Sequence, residues 1–178
     1  MTTAGIRLFA QWLETPLGSM VAIADDAALH ALEFRERAET TEDMLSARMG
    51  QPVSNAGNAL TSLAIGELSE YFAGRSAAFS VPLSPAGSAF EKAVWQELLK
   101  VPLAETCSYG EIARNVGGLE TVRAVGKANG ANPIAIIIPC HRCIGSDGSL
   151  TGYGGGLWRK KWLLRHEGQM RPVGLFAF

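Results

Sequence analysis

The sequence is poor in the residues that mark several common protein classes. It has only three cysteines and three histidines in 178 residues. Three thiols cannot all pair, and all lie in the second half, which favours a reducing compartment over a secreted, disulfide-stabilised protein. No apolar run approaches the ~20 residues of a membrane span, and the N-terminus lacks the basic-then-apolar pattern of a signal peptide. We therefore expect a soluble, cytoplasmic protein without membrane contact.

The chain also lacks a strong net charge, but its charges are unevenly distributed. Residues 1–89 carry 5 Lys/Arg against 10 Asp/Glu, whereas residues 90–178 carry 11 against 7. The second half is therefore the candidate for contact with a polyanion, with a solvated basic face as the alternative. Hydrophobic residues make up 47% of the sequence, which is enough for a substantial core.

The first part of the chain predicts a small antiparallel sheet with helices. Alternating apolar and polar residues predict three strands, at 6–12, 20–24 and 28–34. A Pro/Gly stretch at 15–18 predicts the turn between the first two. A loosely polar run predicts a helix over 39–54, and a stronger apolar pattern predicts a second helix over 60–74. A short edge strand is predicted at 79–81. His30 is alone in an apolar context and is interpreted as a packing residue.

A Pro/Gly/Ser-rich stretch at 83–87 coincides with the change in charge sign and predicts a linker. We expect an α+β fold, with an N-terminal sheet-plus-helix subdomain at 1–82 and a helical, winged-helix-like subdomain at 88–178. Ser88 and Glu91 have the spacing of a capping box, which predicts a helix start.

A second capping box at Ser108 opens another short helix, which Gly117-Gly118 ends. A further helix is predicted from about Thr121 to Asn129, with Val122 and Val125 facing inward. Two short helices around a Gly-containing turn are typical of a helix-turn-helix, although the same geometry also serves ordinary packing. The second of them carries two cations among small residues, which favours close approach to phosphate: Arg123 and Lys127 among Ala124, Gly126, Ala128 and Gly130.

The apolar run from Pro133 to Ile138 predicts an extended segment buried on both sides and ended by Pro139. It would deliver Cys140 and His141 to the edge of a core. An ionised cysteine is a strong nucleophile, and a neighbouring base or cation is how proteins ionise it. The alternative is that Cys140 is simply a small buried hydrophobe.

Glu167 lies in the last turn of a predicted C-terminal helix, which is the unfavourable end for a carboxylate. A cationic or imidazole partner is therefore predicted, and Glu167 becomes the candidate third member of a Cys-His-acid relay with Cys140 and His141. A solvated surface carboxylate is the alternative.

Together these motifs resemble a known signature. Pro139-Cys140-His141-Arg142, preceded by Asn132-Pro133 and followed by Gly-Tyr-Gly-Gly-Gly at 152–156, resembles the O6-methylguanine-DNA methyltransferase (O6-alkylguanine-DNA alkyltransferase) family. The resemblance covers residues 88–168 strongly and the opening sheet more loosely. It implies a ribonuclease H-like N-terminal subdomain before the helix-turn-helix subdomain. It also implies irreversible, single-turnover transfer of an alkyl group from O6-alkylguanine, or O4-alkylthymine, in double-stranded DNA to the chain's own cysteine.

The resemblance implies a role for each matching residue. Cys140 would accept the alkyl group, His141 would act as its base through a water, and Glu167 would hold the imidazole. Asn132 would support the cysteine turn, and Tyr109 would meet the flipped nucleotide. The remaining expected DNA contacts are Arg123, which would fill the vacated stack, with Thr121, Ala124, Lys127, Ala128 and Arg142. The expected base pocket comprises Cys143, Tyr153, Gly154 and Gly155.

The sequence departs from the family at Cys143, where a branched apolar residue is usual. The family uses the backbone carbonyl of this position on the guanine amine, so the contact is expected to survive. The first half has no cysteine and only His30, so the zinc site of some relatives is not expected. We expect neither cofactor nor metal, and a monomer.

Two other classes stay open. Cys140-His141-Arg142-Cys143 is a Cys-x-x-Cys, which could be a redox dithiol or, with Cys107 and a histidine, half of a zinc site. A redox dithiol would begin a helix at its first cysteine, whereas here a turn at 145–148 follows, which argues against the redox alternative. The cysteine spacing argues against the zinc site. A helix-turn-helix binding module without chemistry is the other alternative.

Overall fold

The N-terminal half is built on a four-stranded sheet; the computed structural model describes residues 6–171. The strands are β1 (Leu8–Thr15), β2 (Gly18–Ala24), β3 (Leu29–Phe34) and β4 (Val53–Ser54). Their order is β3-β2-β1-β4, with β2 antiparallel to both neighbours and β4 parallel to β1. The three antiparallel strands predicted from the alternating pattern are therefore confirmed.

Two helices cover opposite faces of this sheet. Helix α1 (Arg35–Met49) packs on the face that includes Val21 and Ile23, and α2 (Ala59–Phe72) packs on the face that includes Met20 and Ala22. Because β2 is covered on both sides, its residues from Met20 to Ala24 are all buried, as in a strand at the centre of three layers.

Some predicted boundaries in this half are wrong. Helix α1 begins at Arg35, directly after β3, and ends at Met49, where Gly50 adopts a left-handed conformation with φ of 67°. Residues 53–54, predicted as the helix end, form β4. The predicted edge strand at 79–81 is absent from the described structure; in this part of the chain Leu83 alone pairs with the sheet, through a bridge to Leu29.

His30 is a packing residue, as predicted. It is 6% exposed, and its Nδ1 lies 3.0 Å from the Ser84 carbonyl oxygen while its Nε2 lies 2.8 Å from Asp25 Oδ2. The Leu29 amide donates to the Pro82 carbonyl at 2.8 Å. These contacts fasten the segment between the two halves onto β3.

The C-terminal half is mainly helical. Its helices are α3 (Ala89–Leu98), α4 (Tyr109–Val116), α5 (Val122–Gly130) and α6 (Leu157–Met170), with short 3-10 helices at Leu119–Thr121 and Cys140–Arg142. Strands β5 (Cys107–Ser108) and β6 (Cys143–Ile144) pair in parallel. Both predicted capping boxes are present, at the starts of α3 and α4, so the sequence placed these two helices correctly.

Helices α4 and α5 form the predicted helix-turn-helix. Gly117 and Gly118 separate α4 from the short 3-10 turn that leads into α5. Val125 is buried as expected, but Val122 is 36% exposed, so the expectation that it faces inward is wrong. Val122 is the first residue of α5, and the buried residues of this helix begin one turn later, at Val125.

The apolar run at 133–138 is buried as predicted but is not extended. Of the residues in this run, only Ile134 pairs with β3, through a bridge to Leu32, and the chain then folds into tight turns. The Ile138 amide donates to the Ile134 carbonyl at 3.1 Å, and Ile136 has a φ of 73°, the left-handed region that branched residues rarely occupy. The run therefore joins the two halves in one core.

Within residues 6–171, no helix has the length and apolar character needed to cross a membrane.

Candidate active site

The predicted nucleophile lies at the start of a short 3-10 helix beneath the surface. Cys140 is 5% exposed and follows Pro139, and its amide donates to the Ile138 carbonyl at 2.8 Å. Burial raises the pKa of its thiol, while the Asn132 amide and the Lys160 ammonium oppose that rise. Deprotonation of Cys140 therefore depends on the groups around it.

Asn132 holds the turn that presents this cysteine, where the resemblance placed it. Its side-chain amide donates to the Ile138 carbonyl at 2.8 Å, and its Oδ1 accepts from the Ile134 amide at 3.0 Å. Asn132 is 2% exposed. Both ends of the turn at 134–138 are thus fixed by one buried side chain.

His141 and Glu167 form the contact that the sequence predicted. The imidazole Nε2 lies 2.7 Å from Glu167 Oε1, and both side chains are 0% exposed. With Nε2–H donating to the carboxylate, Nδ1 is left as the proton acceptor, and it has no hydrogen-bond partner among the described residues. Burial lowers the pKa of His141 despite the Glu167 hydrogen bond that raises it, so the ring is neutral and able to accept a proton.

Glu167 receives further donors that sequence reasoning did not identify. Arg142 donates through Nε to Oε2 at 2.8 Å and through Nη2 to Oε1 at 2.9 Å, and Tyr71 Oη donates to Oε1 at 2.9 Å. Burial raises the pKa of Glu167, but the hydrogen bonds from His141 and Arg142 outweigh it and bring the pKa to about 2. Glu167 is therefore a fixed negative charge behind His141.

Arg142 is consequently not available to DNA, and that expectation is wrong. It is 9% exposed, and besides Glu167 it binds the Val101 carbonyl through Nη1 at 2.7 Å. Its function here is to position the carboxylate.

A buried lysine organises the other side of the site. Lys160 is 0% exposed, and its Nζ donates to the carbonyls of Cys143 at 2.5 Å and Thr151 at 3.0 Å. The Tyr109 hydroxyl donates to the same Thr151 carbonyl at 2.9 Å. Lys160 thus ties β6 to the glycine-rich loop at 151–156. Its place in a basic cluster of α6, with Arg159, Lys161 and Arg165, gave no sign of this.

The expected base-pocket residues do not all share one cavity. Tyr153, Gly154 and Gly155 line a narrow cavity with Cys140, whereas Cys143 lies outside it and is fully buried. A carbonyl oxygen has two lone pairs, so the Cys143 carbonyl can accept a second donor beside Lys160.

The same cavity is completed by residues of the first half. Glu33 is the last residue but one of β3, and Arg37 of α1 donates through Nη1 to the Gly130 carbonyl at 3.4 Å. A Cβ on Gly154 would lie 2.2 Å from Arg37 Nη1, so glycine is what lets this arginine cross the loop. The sequence offered no signal for Glu33. An alternation of polar and apolar residues marks the exposed face of a strand, but β3 is buried on both faces.

Helix α5 presents the expected cationic face. Arg123, Ala124 and Lys127 are exposed, and Thr121 is partly buried with its hydroxyl bonded to the Gly118 carbonyl at 2.7 Å. Ala128 is 2% exposed, and its carbonyl accepts from Trp95 Nε1 at 2.8 Å, so the expectation that Ala128 contacts DNA is wrong.

The Cys-x-x-Cys pair is not arranged as one unit. Cys143 lies opposite Cys107 in the β5–β6 pair, and their thiols contact each other, which lowers the pKa of Cys107 and raises that of Cys143. All three cysteines are free thiols. Within residues 6–171, no group of three His, Cys, Asp or Glu side chains could hold a metal ion.

Comparison with known proteins covers nearly the whole chain. Two family models match: the ribonuclease-like domain of 6-O-methylguanine DNA methyltransferase over residues 8–85, and its DNA binding domain over residues 89–169. The methylated-DNA--protein-cysteine methyltransferase of Salmonella typhimurium is 38% identical over 168 residues, 93% of this chain and 98% of the relative. That of Mycolicibacterium paratuberculosis is 42% identical over 166 residues, 93% of this chain and 96% of the relative.

A solved structure of Mycobacterium tuberculosis OGT in complex with DNA is also similar. It superimposes with a TM-score of 0.79 at 39% identity, covering 93% of this chain and 96% of that one. The sequence motifs, the two matching domains and the fold agree, and the chain therefore belongs to the 6-O-methylguanine DNA methyltransferase family.

Proposed function

We propose that this protein repairs DNA by transferring the alkyl group of O6-alkylguanine, and of O4-alkylthymine, to Cys140. The observation that carries the proposal is the buried thiol of Cys140 next in sequence to His141, whose ring is held by the ionised Glu167. Family membership and the DNA-bound M. tuberculosis structure support double-stranded DNA as the partner.

The chemistry balances without a co-reactant. Neutral His141 accepts the thiol proton through a water, and Glu167 stabilises the resulting imidazolium. The Cys140 thiolate attacks the alkyl carbon, so a sulfur–carbon bond forms while the carbon–oxygen bond breaks with its electron pair leaving on the guanine oxygen. The proton then passes to the departing ring, which leaves as ordinary guanine.

The product limits the protein to one reaction. A thioether has no easy leaving group, so no step within this site regenerates the Cys140 thiol. The protein therefore acts as a reagent, consumed once for each lesion.

The target atom is stacked inside a duplex, so the base must be rotated out at a cost of a few kcal/mol. On α5, Arg123 protrudes beside the small Ala124, which lets the backbone approach the duplex while one planar cation enters the vacated space. Lys127, on the same exposed face, is suited to a phosphate contact. We assign Tyr109 to the bound nucleotide, because its hydroxyl lies at the loop that borders the base pocket.

The cavity at Cys140 must widen for this to happen. It has a volume of about 10 Å³, which is about the space that one water needs. Tyr153 and the two glycines after it form one wall and Arg37 crosses over them, so we infer that this loop moves outward when the base enters.

We further propose that the protein works as a monomer in the cytoplasm, where its three free thiols would stay reduced. Neither a cofactor nor a metal enters the proposed reaction.

The test is the intact mass of the protein after mixing with a duplex that contains one O6-methylguanine. We expect a gain of one methyl group, located on Cys140 by peptide mapping, at no more than one per chain, and no gain in Cys140→Ala. Repeated turnover, or methyl on Cys107 or Cys143, would refute the proposal. Duplex binding without any mass change would favour a binding module, and a stable Cys140–Cys143 disulfide would favour a redox dithiol.

A further inference from the structure

The narrow cavity beside Cys140 has a lining that methyl transfer does not need. Besides Cys140 and the glycine-rich loop, it is bordered by Glu33 and Arg37 from the first half of the chain and by Asn129 of α5. Glu33 is 1% exposed and Asn129 is 4% exposed. A methyl group has no polar atom to offer such residues.

Several polar atoms in this cavity have no partner. Four buried side-chain atoms in residues 6–171 lack a hydrogen bond, and three of them belong to cavity residues: Glu33 Oε1, Asn129 Oδ1 and Tyr153 Oη. The nearest cation to Glu33 Oε1 is Arg37 Nη2, at 3.6 Å, beyond hydrogen-bond distance. Buried polar atoms are unfavourable without a partner, so a cluster of three points to a polar group that binds there.

The reaction geometry brings the rest of the alkyl group to this place. In the displacement, sulfur approaches the alkyl carbon from the side opposite the guanine oxygen. The other substituents of that carbon then point sideways, toward whatever surrounds the Cys140 sulfur. Any atoms beyond the first carbon therefore meet the residues that share the cavity with Cys140.

We propose that this cavity is a subsite for the substituent on the first carbon and that Glu33 makes it selective for hydroxyalkyl groups such as 2-hydroxyethyl. This inference rests on the proposed alkyl transfer to Cys140. Before the loop moves, the cavity has a volume of about 10 Å³, the space of one water or one hydroxyl. When the base enters and the loop moves outward, the terminal hydroxyl of the substituent can take this inner space beside Glu33. It can donate to Glu33 or Asn129 and accept from the Tyr153 hydroxyl.

The charges favour a neutral polar group over an anion. Burial raises the pKa of Glu33 to about 7, against the opposing effect of Arg37, so near neutral pH the carboxyl is present in both forms. A hydroxyl can donate to the ionised form and accept from the protonated one. A carboxylate on the substituent would be repelled by ionised Glu33, while an all-carbon chain would leave the three polar atoms unpaired.

The experiment compares two substituents of equal length that differ only at the last atom. Single-turnover rate constants are measured for duplexes carrying O6-methyl-, O6-(2-hydroxyethyl)- and O6-n-propylguanine, with wild type, Glu33→Leu and the control Glu39→Leu. Glu39 is an exposed carboxylate on α1 without an ion pair among the described contacts.

We expect wild type and the control to transfer hydroxyethyl faster than propyl. In Glu33→Leu the hydroxyethyl-to-propyl rate ratio should fall by about tenfold, the loss of roughly one hydrogen bond to an ionisable group. Because Glu33 also borders Cys140, both rates are divided by the methyl rate of the same variant. If Glu33→Leu does not fold, Glu33→Gln replaces it, because the isosteric amide should lower the ratio only at pH values where wild-type Glu33 is ionised.

Three outcomes would overturn the inference. An unchanged ratio in a folded Glu33 variant would mean that Glu33 does not touch the substituent. Faster transfer of propyl than of hydroxyethyl by wild type would make the subsite apolar. With a fourth duplex that carries O6-carboxymethylguanine, faster transfer of carboxymethyl than of hydroxyethyl would make Arg37 the selecting residue. Failure of wild type to transfer even methyl would instead refute the proposed function itself, so the methyl arm separates the two failures.

Discussion

Replacing Glu167 by glutamine should slow alkyl transfer far more than it weakens DNA binding. The Glu167 carboxylate lies 2.7 Å from His141 Nε2 and is 0% exposed. When His141 takes the thiol proton, the imidazolium faces a full negative charge in the native protein but a neutral amide in the variant. Acid–base catalysis by a positioned group contributes roughly 10²–10⁴-fold, so we expect transfer to slow by about a hundredfold or more. The exposed face of α5 is unaltered.

The same change should also destabilise the fold, since Arg142 would lose its buried counter-charge. Removing one partner of a buried ion pair costs about 3–5 kcal/mol. The shift of the Glu167 pKa from 4.5 to about 2 corresponds to a stabilisation on the order of 3 kcal/mol. Because the folded-state pKa lies below the unfolded one, this stability is present above pH 4.5 and is lost as the pH falls toward about 2. In the glutamine variant this component of the pH dependence should be absent.

Three measurements on each variant separate these effects. They are the single-turnover rate with an O6-methylguanine duplex, the affinity for that duplex by fluorescence anisotropy, and urea unfolding at neutral and acidic pH. Glu105→Gln is the control, because Glu105 is an exposed carboxylate in the same half with no ion pair among the described contacts. Equal losses of binding and transfer in a folded Glu167→Gln would refute the proposed Cys140-His141-Glu167 relay.

Further changes test the other assignments. Arg123→Ala should impair repair of duplex DNA much more than reaction with free O6-methylguanine, which needs no base rotation; equal losses at fixed salt would assign Arg123 to the fold. Lys127→Ala should instead reduce duplex affinity and its salt dependence, as expected for a phosphate contact. Cys143→Val should retain repair, since its expected contact is through the backbone; complete loss in a folded variant would favour the dithiol alternative. Tyr71→Phe removes one donor from Glu167 and should lower the free energy of unfolding by about 1.5–3 kcal/mol, measured by urea titration.

Local signals in the sequence placed much of this fold. The serine and glutamate pairs that open α3 and α4 carry their own hydrogen bonds, so spacing alone located both helix starts. The contact between His141 and Glu167 could be predicted for a similar reason. A carboxylate in the last turn of a helix needs a partner, and in α6 that partner is His141.

Other features were hidden because they depend on contacts between distant segments. An apolar run such as 133–138 predicts burial, but burial alone cannot distinguish a strand from a set of buried turns, and the left-handed Ile136 has no sequence signature. Lys160 sits in a basic cluster typical of a solvated face, yet it is fully buried because three backbone carbonyls converge on it. Glu33 and Tyr71 belong to the first half of the chain, and no sequence motif there predicted that they would contact the site.

The hydrogen bond between Tyr71 and Glu167 joins residues 96 positions apart, and the one between His141 and Glu167 spans 26. During synthesis the ribosome makes α2 long before α6, so neither bond can form until the last helix has emerged. Until then the His141 ring has no carboxylate to hold it in place as the proton acceptor. The proton acceptor proposed for Cys140 is therefore completed only after α6 has been made and has packed against the earlier segments.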